Sequence, residues 1–189
     1  MAANARLGFL IPPGNPTVEP EMIEMAPVGV SVHFSRMVAH GPTGTLEGQE
    51  ERNRTQLQHI GESAALLAMV KPNVIMLAHT ATSYTLGRHA EAELVQRLQN
   101  QCGTAVGTAF GSVIAALKLL GVTRVALGTP YSEETTRKGK ALLEQLQNVT
   151  NIYDETPERA LRPCRGHAGR ASGFSQRPRH AHHIDLRHP

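Results

Sequence analysis

Residues 73–87 read NVIMLAHTATSYTLG. Asn73–Ala78 is an apolar run, as a strand covered on both faces of a parallel sheet should be. At His79 the chain turns polar, and the Thr and Ser that follow predict a turn over His79–Leu86. Arg88–Asn100 then has Leu94, Val95 and Leu98 on one side, the pattern of an amphipathic helix. Upstream, Leu57, Ile60, Ala64 and Leu67 stand at helical spacing within Glu50–Val70, and Pro72 ends that helix. Strands separated by such helices imply a parallel sheet with helices on both faces.

The same alternation extends in both directions. Arg6–Ile11 is a short strand closed by Pro12-Pro13-Gly14, after which Asn15 or Thr17 can cap a helix with Pro16 in its first turn. Val28, Val30, Val32 and Phe34 alternate along Val28–Phe34 with the period of a strand. His40–Glu47 is loop. Thr104–Thr108 is a short strand, and Ala109–Leu120 a helix stopped at Gly121. Val122–Leu127 is a strand with Gly128-Thr129-Pro130-Tyr131 as its C-terminal turn. Ser132 caps a helix to Leu146, with Glu133 and Glu134 in its first turn, and Asn148–Asp154 is the next strand. The expected division is an α/β domain over 1–108, the first half of a second over 109–158, and a basic irregular tail over 159–189.

In parallel sheets the loops after the strand C-termini form the binding crevice. Three loops therefore matter: Pro12–Thr17, His79–Ser83 and Gly128–Ser132. Each faces a helix N-terminus and is rich in Asn, Thr, Ser or Tyr, the chemistry of a carboxylate or phosphate cradle. Helix capping is the plainer role for Asn15 and Thr17, an ordinary turn for Thr80, Thr82 and Ser83, and simple packing for Tyr131. Gly14 alone makes no phosphate loop, because the repeated glycines of a dinucleotide fingerprint are missing.

The 189 residues carry 19 Lys and Arg against 16 Asp and Glu, a net +3, and a pI near 9.1. The charge is unevenly placed. Residues 159–189 hold seven Arg and one acid, Asp185, a net +6. Residues 1–158 hold 12 basic and 15 acidic residues, a net −3. A basic tail without aromatic interleaving on an acidic body argues against a nucleic-acid-binding module. Two Cys exclude a disulfide scaffold. No apolar run approaches a membrane span. The first residues lack a basic region and a cleavage site, so no signal peptide is read and a cytoplasmic location is expected.

Ala115–Tyr131, AALKLLGVTRVALGTPY, resembles the core of the second domain of maleate cis-trans isomerases and arylmalonate decarboxylases, in the aspartate/glutamate racemase superfamily. LGFLIPPGNPTVEPEM, residues 7–22, is similar to that family's first strand and its Asn/Thr-bearing loop. Residues 73–87 lie where the family has an apolar strand running into a Cys-Thr-Ser-Gly-like turn. The resemblance covers roughly residues 5–155. It implies two Rossmann-like α/β domains related by a pseudo-twofold axis, with the second truncated here. It also implies cofactor-independent isomerisation, racemisation or decarboxylation of a small dicarboxylate, with neither cofactor nor metal. A homo-oligomer is compatible with it, and no nucleic-acid or membrane partner is expected.

The family's chemistry usually uses two thiols, one from each domain, with backbone N–H groups and hydroxyls holding the substrate carboxylates. By the resemblance, Asn15, Thr17, Thr80, Thr82, Ser83, Thr129 and Tyr131 are substrate-binding candidates. The first thiol's position holds His79. Cys102 precedes a strand rather than following one, and Cys164 lies in the tail. His79 is therefore the catalytic candidate, as a general base with an intrinsic pKa suited to neutral pH; a histidine that only caps or hydrogen-bonds is the plainer reading. With neither thiol matched, a catalytically inactive carboxylate-binding or truncated member is the alternative.

After Glu158, Arg, His, Pro and Gly dominate and periodicity is lost. One reading is a basic tail able to bind metal through His180, His182 and His183. Another fits the composition better: out-of-frame translation of a GC-rich gene, starting near Arg159–Leu161. Permitted codons in a shifted frame can give AVFLSG followed by a Gly-Met-Pro-Thr turn, which looks like the family's second-domain site motif.

Overall fold

Strand segments that are apolar on both faces need helices on both faces, and this chain supplies them in alternation. The structure, a computed structural model, describes residues 5–146 and 151–155. It shows parallel strands and five helices, in two compact units that divide between Leu120 and Gly121.

The first unit runs β1 (Ala5–Ile11), α1 (Val18–Met25), β2 (Val30–Arg36), α2 (Leu46–Ala68), β3 (Val74–Leu77), α3 (Thr80–Cys102), β4 (Ala105–Thr108) and α4 (Ala109–Leu119). Its four strands are parallel in the order β2-β1-β3-β4. Leu7 pairs with Val74 and Leu10 with Leu77 in the central register. The Arg6 N–H donates to Asn73 Oδ1 at 2.8 Å, anchoring the starts of the two central strands together. Leu10, Ile60, Ile75, Leu77 and Leu98 are fully buried between sheet and helices. Each contributes about 2 kcal/mol of apolar burial.

Local chemistry fixes the helix ends. Thr45 Oγ1 accepts from the Gly48 N–H at 3.0 Å to start α2, and Thr108 Oγ1 accepts from the Gly111 N–H at 2.9 Å to start α4. Gly103, with φ 64°, closes α3 in the left-handed conformation. The second unit holds β5 (Arg124–Gly128), α5 (Glu133–Glu144) and β6 (Asn151–Glu155), with β5 and β6 paired in parallel.

The structure departs from the sequence expectations in places. Val28 is 98% exposed, and β2 starts only at Val30, after Gly29 turns the chain at φ 87°. Residues 80–86 form helix rather than turn. Thr85 Oγ1 donates back to Ala81 O at 2.8 Å, so its hydroxyl is satisfied inside a helix. The polar break lies instead at Gly87, φ 73° and ψ 171°, which interrupts α3 midway. The tail 159–189, with Cys164, His180, His182, His183 and the frame reading, lies outside the described residues. Among the described residues, no helix is long and apolar enough to cross a membrane.

Candidate functional site

From β1 the chain steps outward to β2 and then returns across β1 to reach β3. The connections therefore diverge between β1 and β3, and in such a sheet the place for a binding crevice is beyond the C-terminal ends of those two strands. Two of the three predicted loops leave from there: Pro12–Thr17 after β1 and His79 onward after β3. The Ala78 N–H donates to Leu10 O at 2.9 Å, holding the residue before His79 against the end of β1.

His79 occupies the cap position of α3, yet its ring makes no capping bond to the helix N–H groups. It is turned into the protein instead, 9% exposed. Its Nδ1 lies 2.5 Å from Gln56 Nε2 and 3.0 Å from Thr82 Oγ1, and Gln56 Nε2 donates to Thr82 Oγ1 at 3.1 Å. Gln56 and Thr82 are themselves fully buried. When Nδ1 accepts from the Gln56 Nε2–H, a neutral imidazole carries its proton on Nε2; with the amide turned over, Oε1 accepts from Nδ1–H and Nε2 is bare. Thr82 thus belongs to the support of His79.

Asn15 Oδ1 accepts from the Thr17 N–H at 2.9 Å, the Val18 N–H at 3.0 Å and the Thr17 hydroxyl at 3.2 Å. This is an Asx-type cap of α1, and it leaves the Asn15 amide nitrogen without a protein partner among the described residues. Arg36, at the end of β2, donates to Pro13 O at 2.9 Å and Asn15 O at 3.2 Å and pairs with Glu19. The Asn15 loop is therefore clamped from a neighbouring strand.

Thr80 opens α3, where the helix dipole favours an anion. Ser83 is directed elsewhere. It is fully buried and donates its hydroxyl proton to Glu91 Oε1 at 2.5 Å, which leaves it no proton for a ligand carboxylate. Thr129 and Tyr131 follow β5 in the second unit. Both are buried; Thr129 Oγ1 lies 2.6 Å from Thr136 Oγ1 and accepts from the Tyr131 N–H at 3.3 Å. Ser132 Oγ caps α5 by accepting from the Thr135 N–H at 3.2 Å.

Three polar residues of the first unit went unread in the sequence: Arg36, Asn53 and Gln56. A signal existed for the last two. Asn53, Gln56, Ile60, Ser63 and Leu67 recur at three- and four-residue steps, so two amides interrupt the apolar stripe of α2. Asn53 is 4% exposed, and among the described residues its Nδ2 has no hydrogen-bond partner. A buried amide left unsatisfied costs about 1–3 kcal/mol. Cys102, at the far end of α3, packs against the core, and burial pushes its thiol pKa up, the reverse of an activated nucleophile. Among the described residues, no three His, Cys, Asp or Glu side chains gather as a metal set.

Comparison with known proteins places this geometry. The arylmalonate decarboxylase family model matches residues 7–154. A maleate isomerase of Nocardia farcinica (strain IFM 10152) is 28% identical over 150 residues, covering 74% of this chain and 57% of the relative. The crystal structure of the maleate isomerase Iso from Pseudomonas putida S16 matches with a TM-score of 0.65 at 23% identity, over 80% of this chain and 63% of that one. A crystal structure of arylmalonate decarboxylase matches with a TM-score of 0.62 at 21% identity, again over 80% and 63%. The chain spans less than two thirds of the length of each of these relatives.

Proposed function

Because the chain belongs to the arylmalonate decarboxylase family, we propose that it is a cofactor-independent isomerase, racemase or decarboxylase acting on a small dicarboxylate, with His79 as its acid–base residue. The observation that carries this reading is the placement of His79. It stands where the resemblance puts a thiol, beyond the end of β3 and at the N-terminus of α3, with one ring nitrogen fixed by Gln56 and Thr82.

The chemistry follows from the parts. A carboxylate set at the start of α3 meets the positive end of the helix dipole, and Thr80 offers a hydroxyl at the same place. Removing a proton or carbon dioxide next to that carboxylate builds enediolate charge, which the same dipole stabilises. As a base His79 takes the proton at Nε2 from the tautomer protonated on Nδ1, which the Gln56 amide holds when it is turned so that Oε1 accepts from Nδ1–H; the same bond persists in the imidazolium. The first unit's proposed carboxylate contacts are the Asn15 amide nitrogen, Thr80 and the backbone at the start of α3; the N–H and hydroxyl of Thr17 are both taken by Asn15 Oδ1.

The test uses maleate, aspartate, glutamate and an arylmalonate, in chelator and without nucleotide. NMR in D2O follows isomerised or decarboxylated product and deuterium incorporation. Turnover that His79→Ala abolishes is the expected result. Ligand-induced stabilisation of the fold without turnover or exchange favours the second reading, a binding member lacking the family's thiol chemistry.

A further inference from the structure

We propose that Asn53 is a substrate-binding residue, donating from Nδ2 to a carboxylate oxygen of the ligand beside His79. The assignment rests on the dicarboxylate reading above and deepens it.

Three observations lead there. First, Asn53 Nδ2 is a buried donor without a partner among the described residues, in a side chain only 4% exposed. Native proteins rarely leave such groups unpaired, and a functional ligand is one of the few reasons for doing so.

Second, the direction of α2 places Asn53 over the crevice. Leu67 would contact a Cβ at Gly8, in the middle of β1. Ser63 Oγ donates to Arg36 O at the end of β2, and Gln56 reaches His79 just past the end of β3. Lower residue numbers therefore lie progressively further toward the C-terminal edge of the sheet. Asn53 stands three residues before Gln56, about 4.5 Å further along the helix axis and on the same buried face. That is the level of the crevice, above the sheet edge.

Third, the outer side of this turn is closed by protein. Thr55 Oγ1 accepts from the His40 N–H and donates to His40 O, both at 2.8 Å, and Arg52 donates to Pro42 O. A Cβ at Gly48 would collide with Pro42 O, so the loop lies directly on the helix. Asn53 is thereby shielded while its donor is unclaimed by that loop.

An amide donor suits a carboxylate. It carries no charge to attract every anion, and its hydrogen bond to an ionised oxygen is stronger than one to water. Together with the N-terminus of α3 it supplies direction as well as field.

The experiment uses the full chain with maleate and phenylmalonate as probes. In the wild type, the assigned Asn53 side-chain amide signals are followed by NMR during titration, with thermal melts alongside. Asn53→Asp and Asn53→Leu receive the same titration. The expected outcome is movement of the Asn53 amide signals on binding and about tenfold or greater loss of affinity in both variants. Asn53→Leu melts at or above the wild type without ligand, since it removes an unpaired donor.

Wild type that binds a probe while the Asn53 signals stay fixed and both variants keep full affinity leaves the dicarboxylate reading intact and overturns the assignment. Loss of apo stability in Asn53→Leu with unchanged affinity also overturns it. Wild type that binds neither probe overturns the dicarboxylate reading and the assignment together. The wild-type signals need no variant, so a substitution that fails to fold does not leave the question open.

Discussion

Gln56 in the middle of α2 and His79 at the cap of α3 meet at 2.5 Å, joining two helices through one buried amide–imidazole contact. The orientation of the amide is tied to which ring nitrogen carries the proton, which gives the first prediction. Gln56→Glu puts a carboxylate on Nδ1, which favours the charged imidazole and raises the His79 pKa. Stability gained this way is present below the unfolded histidine pKa and is lost as pH rises through the elevated folded value. Gln56→Leu removes the donor without adding charge. Imidazole NMR titration should show the upward shift in Gln56→Glu and none of comparable size in Gln56→Leu; equal behaviour of the two would refute the role given to the amide.

Gly87 interrupts α3 at φ 73° and ψ 171°, a conformation essentially restricted to glycine. No atom lies within 4 Å of a Cβ built there. Gly87→Ala therefore acts through the backbone alone and should cost about 1–3 kcal/mol. Gly128→Ala is the control: its Cβ also meets nothing, and its φ is not positive. Urea unfolding should separate the two clearly.

Ser83 and Glu91 lie on opposite sides of that interruption and share a 2.5 Å hydrogen bond in the interior. Removing Glu91 strands a buried hydroxyl, so Glu91→Ala should cost about 1–3 kcal/mol from this source. A double-mutant cycle with Ser83→Ala should return a coupling of about 0.5 kcal/mol or more. Additive single effects would show that the pair does not hold the two halves of α3 together.

The Cys102 thiol is held above its ordinary pKa by burial. In a Cys164→Ser background it should react with iodoacetamide more slowly than a free cysteine at neutral pH, and Cys102→Ser should leave any turnover unchanged. Rapid alkylation that also abolishes activity would mean a thiol mechanism after all.

Glu134 sits below its ordinary carboxylate pKa because Lys138 donates to it at 2.7 Å on the surface of α5. Its stabilising effect exists above the unfolded carboxylate pKa and fades as pH falls through the depressed folded value. Lys138→Gln should return the Glu134 titration to the ordinary range, and salt should weaken the wild-type shift.

The alternation of strands and helices was legible because each apolar run carries its period in its own residues. The site was only half legible. His79, Asn15 and Thr80 follow strand ends, which sequence pattern locates. Gln56 and Asn53 sit inside a helix, where an amide is an ordinary surface residue until packing shows which face is covered. The start of α3 was misread for a related reason. Thr80, Thr82, Ser83 and Thr85 have turn chemistry locally, but burial and back-bonding hold them helical. Ser83 illustrates the opposite risk, since a hydroxyl in the right loop proves committed to Glu91.

The pairing of β1 with β3 has a consequence for how the protein is born. Residues 7 and 74 must meet before the crevice has two sides, so forming it closes a loop of more than sixty residues. Such closures carry most of their entropic cost before any contact rewards them. The arrangement of loops at the ends of these strands therefore has no local precursor in the nascent chain. It arises in the same cooperative step that docks the central strands, and a ribosome that has not yet released β3 has made none of it.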